Sequence, residues 1–168
     1  TANLVTPDNG ERYVVELSNS TLTNIQGAHS NTADLTITLN RSDLELVTDG
    51  SANQIIGIRF VNLNIHQGSI IDSAYIQFTT EEIDNINPCE LHIYGEAIDN
   101  AQTFTTEDNN ISNRQKTNST VTWWPEEWLL SEESGINQRT PDITPIVKEI
   151  VDRPGFNSAS SIAIIIEG

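Results

Sequence analysis

The chain has 168 residues, enough for one hydrophobic core, and its 24 Asp and Glu side chains against 8 Lys and Arg give a formal net charge of −16. This excess of carboxylates repels phosphate backbones and anionic lipid surfaces, which argues against nucleic acid as a partner. The sequence has no run of about 18 apolar residues, so membrane insertion is not expected. Cys89 is the only cysteine, which excludes an intramolecular disulfide. We expect a single domain over residues 1–168, and a start at Thr1 without any methionine predicts a fragment of a longer protein.

The first forty residues contain short strand patterns separated by polar stretches. Alternating apolar residues predict β-strands over residues 13–17 and 34–39. The sequence between them, residues 18–32, is rich in Asn, Ser and Thr and predicts a loop.

Residues 42–49, SDLELVTD, combine a strand pattern with several carboxylates. Asp43 and Glu45 alternate with leucines, and Asp49 follows at the turn. Carboxylate oxygens are the ligands that calcium prefers, so Asp43, Glu45 and Asp49 are candidate ligands of a structural calcium ion. The alternative is a strand face that is simply solvated.

The best-patterned apolar segment is residues 55–80, IIGIRFVNLNIHQGSIIDSAYIQFTT. Its two halves alternate with period two and predict two half-buried strands, joined by a turn at Gly68. A third strand is predicted over residues 89–95, and three consecutive strands of this kind predict the middle of an antiparallel sheet. The side chains expected in the core are Phe60, Ile76, Phe78, Leu91 and Ile93.

All three tryptophans fall within the sequence TVTWWPEEWLL, which begins at Thr120 after a long polar loop. On a strand, Trp123 and Trp124 point to opposite faces, so burial of the first exposes the second. An exposed indole can stack on the apolar face of a sugar ring while polar side chains bind the hydroxyls. Arg114 and Gln115, just upstream, are candidate donors. The alternative reading of this cluster is core packing.

The last part of the chain predicts one helix and one central strand. Thr144 and Pro145 begin an amphipathic helix that ends before Pro154. Residues 161–167 are apolar on both faces, which is typical of a strand covered on both sides. The chain stops there, and a further strand is either absent, a separate piece or supplied by a neighbouring chain. A missing strand would leave an open sheet edge, and such edges pair with other chains.

The segments GIRFVNLNIHQGSIIDSAYIQFTT and LHIYGEAIDNAQTF resemble the DNRLRE-type jelly-roll modules of secreted bacterial proteins that degrade polysaccharides or adhere to surfaces. The resemblance extends from about residue 42 to residue 168. The modules carry a similar V-x-W-x-P-x-x-W phrase, in which Trp123 and Trp128 correspond and Trp124 is an additional ring. The resemblance implies an all-β antiparallel sandwich of jelly-roll type, a location outside the cell or at its surface, and often a structural calcium ion.

Two functions from different classes follow. The first is a non-catalytic carbohydrate-binding module that binds polysaccharide through Trp124, Trp128, Arg114 and Gln115. The second is a structural or adhesive domain of a surface protein or filament that assembles with neighbouring chains. We expect no enzymatic activity, because no nucleophile, phosphate loop or acid–base spacing stands out.

Overall fold

The computed structural model describes residues 3–5, 12–18, 25–31, 37–39, 44, 46–49, 52–83 and 88–168. Within these ranges the chain is built mostly of strands, with one short α-helix and a 3-10 turn. The elements are β1 (Asn3–Val5), β2 (Arg12–Ser18), β3 (Ile25–Asn31), β4 (Ile37–Leu39), β5 (Thr48–Asp49), β6 (Ala52–Phe60), β7 (Ile70–Gln77), β8 (Leu91–Glu96), β9 (Lys116–Trp123), a 3-10 helix (Ile136–Gln138), α1 (Thr144–Val151) and β10 (Ile162–Glu167).

The strands form two sheets. The larger has the order β4-β3-β6-β10-β8-β9, with β5 paired to β6, and all of its pairs are antiparallel. The smaller has the order β1-β2-β7, in which β2 and β7 run parallel. The predicted strand-rich, largely antiparallel fold with one short helix is therefore confirmed.

The pairing of the central strands differs from the prediction. β6, β7 and β8 do not pair with one another, because β10 lies between β6 and β8 and β7 belongs to the other sheet. Five consecutive residues of β10 are buried, Ile162 to Ile166, so the strand is stable only where both of its faces are covered. β10 lies between β6 and β8, so the predicted central strand is confirmed. Among the described strands of this sheet, β9 and β4 are the outermost.

Two strands were not predicted, β1 and β3. β3 lies inside the polar stretch expected to be a loop and pairs antiparallel with β6. A polar strand is held by its backbone hydrogen bonds to a long neighbour, which outweighs its weak intrinsic preference for β structure. Of the strand expected over residues 34–39, only Ile37–Leu39 lies within the described residues.

The main core contains side chains from both sheets and from α1. All five side chains expected there are at most 3 % exposed, which confirms the predicted facing: Phe60, Ile76, Phe78, Leu91 and Ile93. The apolar side of α1 is buried against them. The Asp142 carboxylate accepts a hydrogen bond from the Thr144 amide at 2.9 Å and so satisfies a free donor of the first helical turn.

A second, smaller core lies on the opposite face of β6 and β10. It is covered by the loop of residues 97–115, whose Phe104 and Ile111 pack on Ile165 and Ala163. Gly57 is required there, because a Cβ at this position would lie 2.6 Å from the Phe104 ring. The loop that joins β8 to β9 is therefore part of the folded body.

Within the described residues, no helix has the length and apolar character that a bilayer span needs.

Candidate functional site

The candidate site is built on the strands β8 and β9. Leu91 and Ile93 of β8 and Trp123 of β9 point into the main core. Side chains alternate along a strand, so the residues between them lie on the opposite side of the sheet. We call this surface the outer face. It is defined by His92 and Tyr94 of β8, Thr120 and Thr122 of β9, and Trp124 just after β9. In the register of the two strands, His92 lies opposite Thr122 and Tyr94 lies opposite Thr120.

Trp123 and Trp124 have opposite environments, as the alternation predicts. Trp123 is 5 % exposed, and its ring is stacked on Phe78 with centroids 5.9 Å apart. Trp124 is 64 % exposed. Trp124 therefore presents an open aromatic surface at the end of the outer face.

Trp128 belongs to the aromatic cluster below the outer face. Its ring centroid lies 6.4 Å from that of Trp123 and 6.2 Å from that of Phe78. Its indole N–H donates to the Asn137 carbonyl at 3.1 Å. The structure therefore places Trp128 in a packing position beside Trp123. Sugar stacking was predicted for Trp124 and Trp128, and it now rests on Trp124.

Arg114 is fully engaged within the protein. Its guanidinium directs five hydrogen bonds at the surrounding chain: to Glu96 at 2.7 Å, to the carbonyls of Gln102, Thr103 and Asn110, and to the Asn110 side chain. The group also lies 4.1 Å over the Phe104 ring. Five N–H donors are all that a guanidinium has, so none remains for a sugar. Arg114 instead holds the loop 97–115 in shape.

The structure also separates the predicted donors from the tryptophan. Arg114 and Gln115 precede β9, whereas Trp124 follows it, and the eight residues of this strand span about 23 Å. Gln115 is exposed and borders an open groove of about 600 Å³ beside the loop 97–115. The expected grouping of Arg114 and Gln115 with Trp124 is therefore corrected: they lie at opposite ends of β9.

Polar contacts order the rest of the outer face. The Lys116 ammonium lies 2.6 Å from the Glu167 carboxylate and 4.7 Å from the centroid of the Tyr94 ring. The imidazole of His92 lies 3.6 Å from Glu90 and 3.4 Å from the Thr122 hydroxyl. His92 and Tyr94 were not singled out from the sequence, although the alternation that buries Leu91 and Ile93 also places them outside.

The predicted calcium ligands lie mostly beyond what is described. Asp43 and Glu45 are outside the described residues, and Asp49 pairs with Ala52 through the backbone of β5. Within the part of the chain that the structure describes, no group of three or more His, Cys, Asp or Glu side chains is arranged to hold a metal ion.

Comparison with known proteins reveals one match. A model of the family described as alkyl sulfatase C-terminal matches residues 1–65, which is less than half of the chain. No curated protein and no solved structure matched the sequence. The outer face begins at residue 92, so it lies outside the matched segment.

Proposed function

We propose that the protein is a non-catalytic carbohydrate-binding module of a larger secreted or cell-surface protein, and that its two sheets form a β-sandwich of jelly-roll type. The observation that carries the proposal is the exposure of Trp124, 64 % against 5 % for the adjacent Trp123. Tryptophan is enriched at binding interfaces, because its indole offers a large apolar surface together with one polar N–H group.

The surroundings of Trp124 suit a sugar. The ring supplies a flat apolar surface, and the neighbouring Thr122 and His92 supply a hydroxyl and an imidazole group that can hydrogen-bond a ligand. The Thr120 hydroxyl donates to the Ile93 carbonyl at 3.0 Å and can only accept. A pyranose needs this combination, because its C–H face stacks on an aromatic ring while its hydroxyls at the edge need polar partners. The sheet beneath keeps these groups at fixed spacing, which reduces the ordering cost of binding.

Tryptophan fluorescence titrated with a panel of plant and algal polysaccharides tests the proposal. Trp124 is exposed, whereas Trp123 and Trp128 are packed, so a sugar that stacks on the outer face changes the emission of Trp124. We expect a saturable blue shift with at least one glycan in the native protein, and none in Trp124→Ala. A panel without any response contradicts the proposal.

A second function is favoured by a separate observation. Leu129, Leu130 and Ile136 are 68 %, 63 % and 74 % exposed, and β9 is an outermost strand among those described. Exposed apolar side chains and an outer strand are features through which protein chains associate. A structural or adhesive domain would assemble through them. Sedimentation velocity would then show concentration-dependent assembly that Leu129→Ser with Leu130→Ser abolishes.

A further inference from the structure

Every lysine and arginine whose side chain the structure describes is held by a partner within the protein. Arg114, Lys116, Lys148 and Arg153 lie within 2.7 Å of carboxylate oxygens. The other two described Lys and Arg side chains are held by neutral groups: Arg59 donates to Ala101 and Ser161, and Arg139 donates to Gln77 and lies over the Tyr75 ring.

Near Trp124 the charges are negative. Continuing the β8–β9 register, in which Leu91 lies opposite Trp123, places Glu90 opposite Trp124. Glu90 has a side chain that is 55 % exposed. Glu126 and Glu127 follow Trp124 along the chain and are exposed. Of the described cations on this side of the sheet, Lys116 is paired with Glu167 at 2.6 Å, and Arg59 and Arg114 are engaged in contacts with the loop 97–115.

We propose that the Trp124 surface takes glycans that carry protonated amino groups and rejects glycans that carry uronate or sulfate. The inference rests on the proposed carbohydrate-binding function and specifies the substrate class. An ammonium on a sugar can meet Glu90 or Glu126 while the sugar ring lies on the indole, which also attracts cations. A carboxylate or sulfate in the same position meets like charge, and a chain with a net charge of −16 adds a repulsive field.

Three hexasaccharides with one β-1,4-linked glucose backbone test the inference by isothermal titration. They are cellohexaose, which is neutral, the glucosamine hexamer, and the glucuronate hexamer. We expect the glucosamine hexamer to bind about five- to tenfold more tightly than cellohexaose at low salt, as an exposed ion pair or two can supply. The advantage should shrink as salt is raised, because exposed charges are screened. The glucuronate hexamer should bind least.

Two variants of equal net charge distinguish an ion pair of the amino sugar near Trp124 from the general attraction of a cationic glycan to an acidic protein. Glu90→Gln removes a carboxylate opposite Trp124, whereas Glu107→Gln removes one from the loop 97–115, at the far end of β9. Glu90→Gln should reduce the preference for the glucosamine hexamer over cellohexaose, and Glu107→Gln should preserve it.

The inference is overturned if the glucuronate hexamer binds as well as the glucosamine hexamer, or if Glu90→Gln and Glu107→Gln change the preference equally. In either case the carbohydrate-binding function stands, because glycans still bind. If none of the three hexasaccharides nor any polysaccharide of the panel binds, the proposed function fails and this inference fails with it.

Discussion

Trp123 and Trp124 are neighbours in the chain, yet one ring is stacked on Phe78 in the core and the other is 64 % exposed. Their substitutions should therefore have different consequences for folding. Trp123→Ala should lower the free energy of unfolding by about 3 to 5 kcal/mol, as truncation of a buried aromatic side chain does. Trp124→Ala should change it by less than about 0.5 kcal/mol, as exposed positions usually do. Urea denaturation measures both, and a destabilising Trp124→Ala would show that the ring is part of the packing.

The role of Arg114 can be tested through Glu96, since both side chains of this ion pair are at most 10 % exposed. Arg114→Met leaves the Glu96 carboxylate buried without its partner and should cost about 3 to 5 kcal/mol of stability. Arg114→Lys should restore little, because an ammonium cannot reproduce the planar set of donors.

Hydrogen exchange locates the effect of Arg114→Met. Amides of the loop 97–115 should lose protection, while any glycan binding should persist in the fraction that remains folded. If folded Arg114→Met protein no longer binds glycan, Arg114 contributes to the binding site. The conclusion that Arg114 and Trp124 act independently at opposite ends of β9 would then be wrong.

The Glu149 carboxylate accepts hydrogen bonds from the amides of Asn118 at 2.8 Å and Ser119 at 2.7 Å, and so ties α1 to β9. Partial burial raises the pKa of Glu149, but the hydrogen bonds from Ser119 and Asn118 outweigh it and leave the pKa below its ordinary value. The ionised form therefore stabilises the fold at neutral pH, and this contribution is lost as the pH falls through the lowered pKa.

Glu149→Ala should accordingly destabilise the protein by about 1 to 2 kcal/mol at pH 7. The difference from the native protein should narrow in acid, where the native carboxyl is protonated as well. Urea denaturation of both proteins between pH 7 and pH 3 measures this. A difference that does not depend on pH would show that the carboxylate charge contributes nothing.

A calcium ion held by Asp43, Glu45 and Asp49 remains a prediction with a direct test. An ion that binds only the folded state stabilises it by about 2.7 kcal/mol at a hundredfold excess over its dissociation constant. We expect the melting temperature to fall in a chelator and to recover with added calcium. Asp43→Asn should abolish the recovery, and an unchanged melting temperature in chelator would end the proposal.

Local pattern was enough to predict β6, β7, β8 and β10 and their buried faces, but it did not predict which strands pair with one another. Alternation identified the buried faces of β6, β7 and β8 and the opposite facing of Trp123 and Trp124. It carries no information on which strand pairs with which, so the insertion of β10 between β6 and β8 was missed. β3 was missed because its polar sequence is held by pairing with β6.

The candidate site was predicted only at Trp124, since its exposure follows from the burial of its neighbour. Arg114 was misjudged because its acceptors are mostly carbonyls of an irregular loop, whose positions no periodic pattern specifies. His92 and Tyr94 joined the site only once the register of β8 with β9 was established.

The most direct test of the account measures glycan affinity in two variants that each remove an exposed apolar side chain. Trp124 and Leu129 are 64 % and 68 % exposed, so neither truncation should disturb the core. By isothermal titration with the glycan that the fluorescence panel identifies, Trp124→Ala should lose about 1 to 3 kcal/mol of binding free energy, as removal of an aromatic anchor does, while Leu129→Ala binds like the native protein. Undiminished affinity in Trp124→Ala, or an equal loss in Leu129→Ala, would contradict the assignment of Trp124 as the sugar-binding residue.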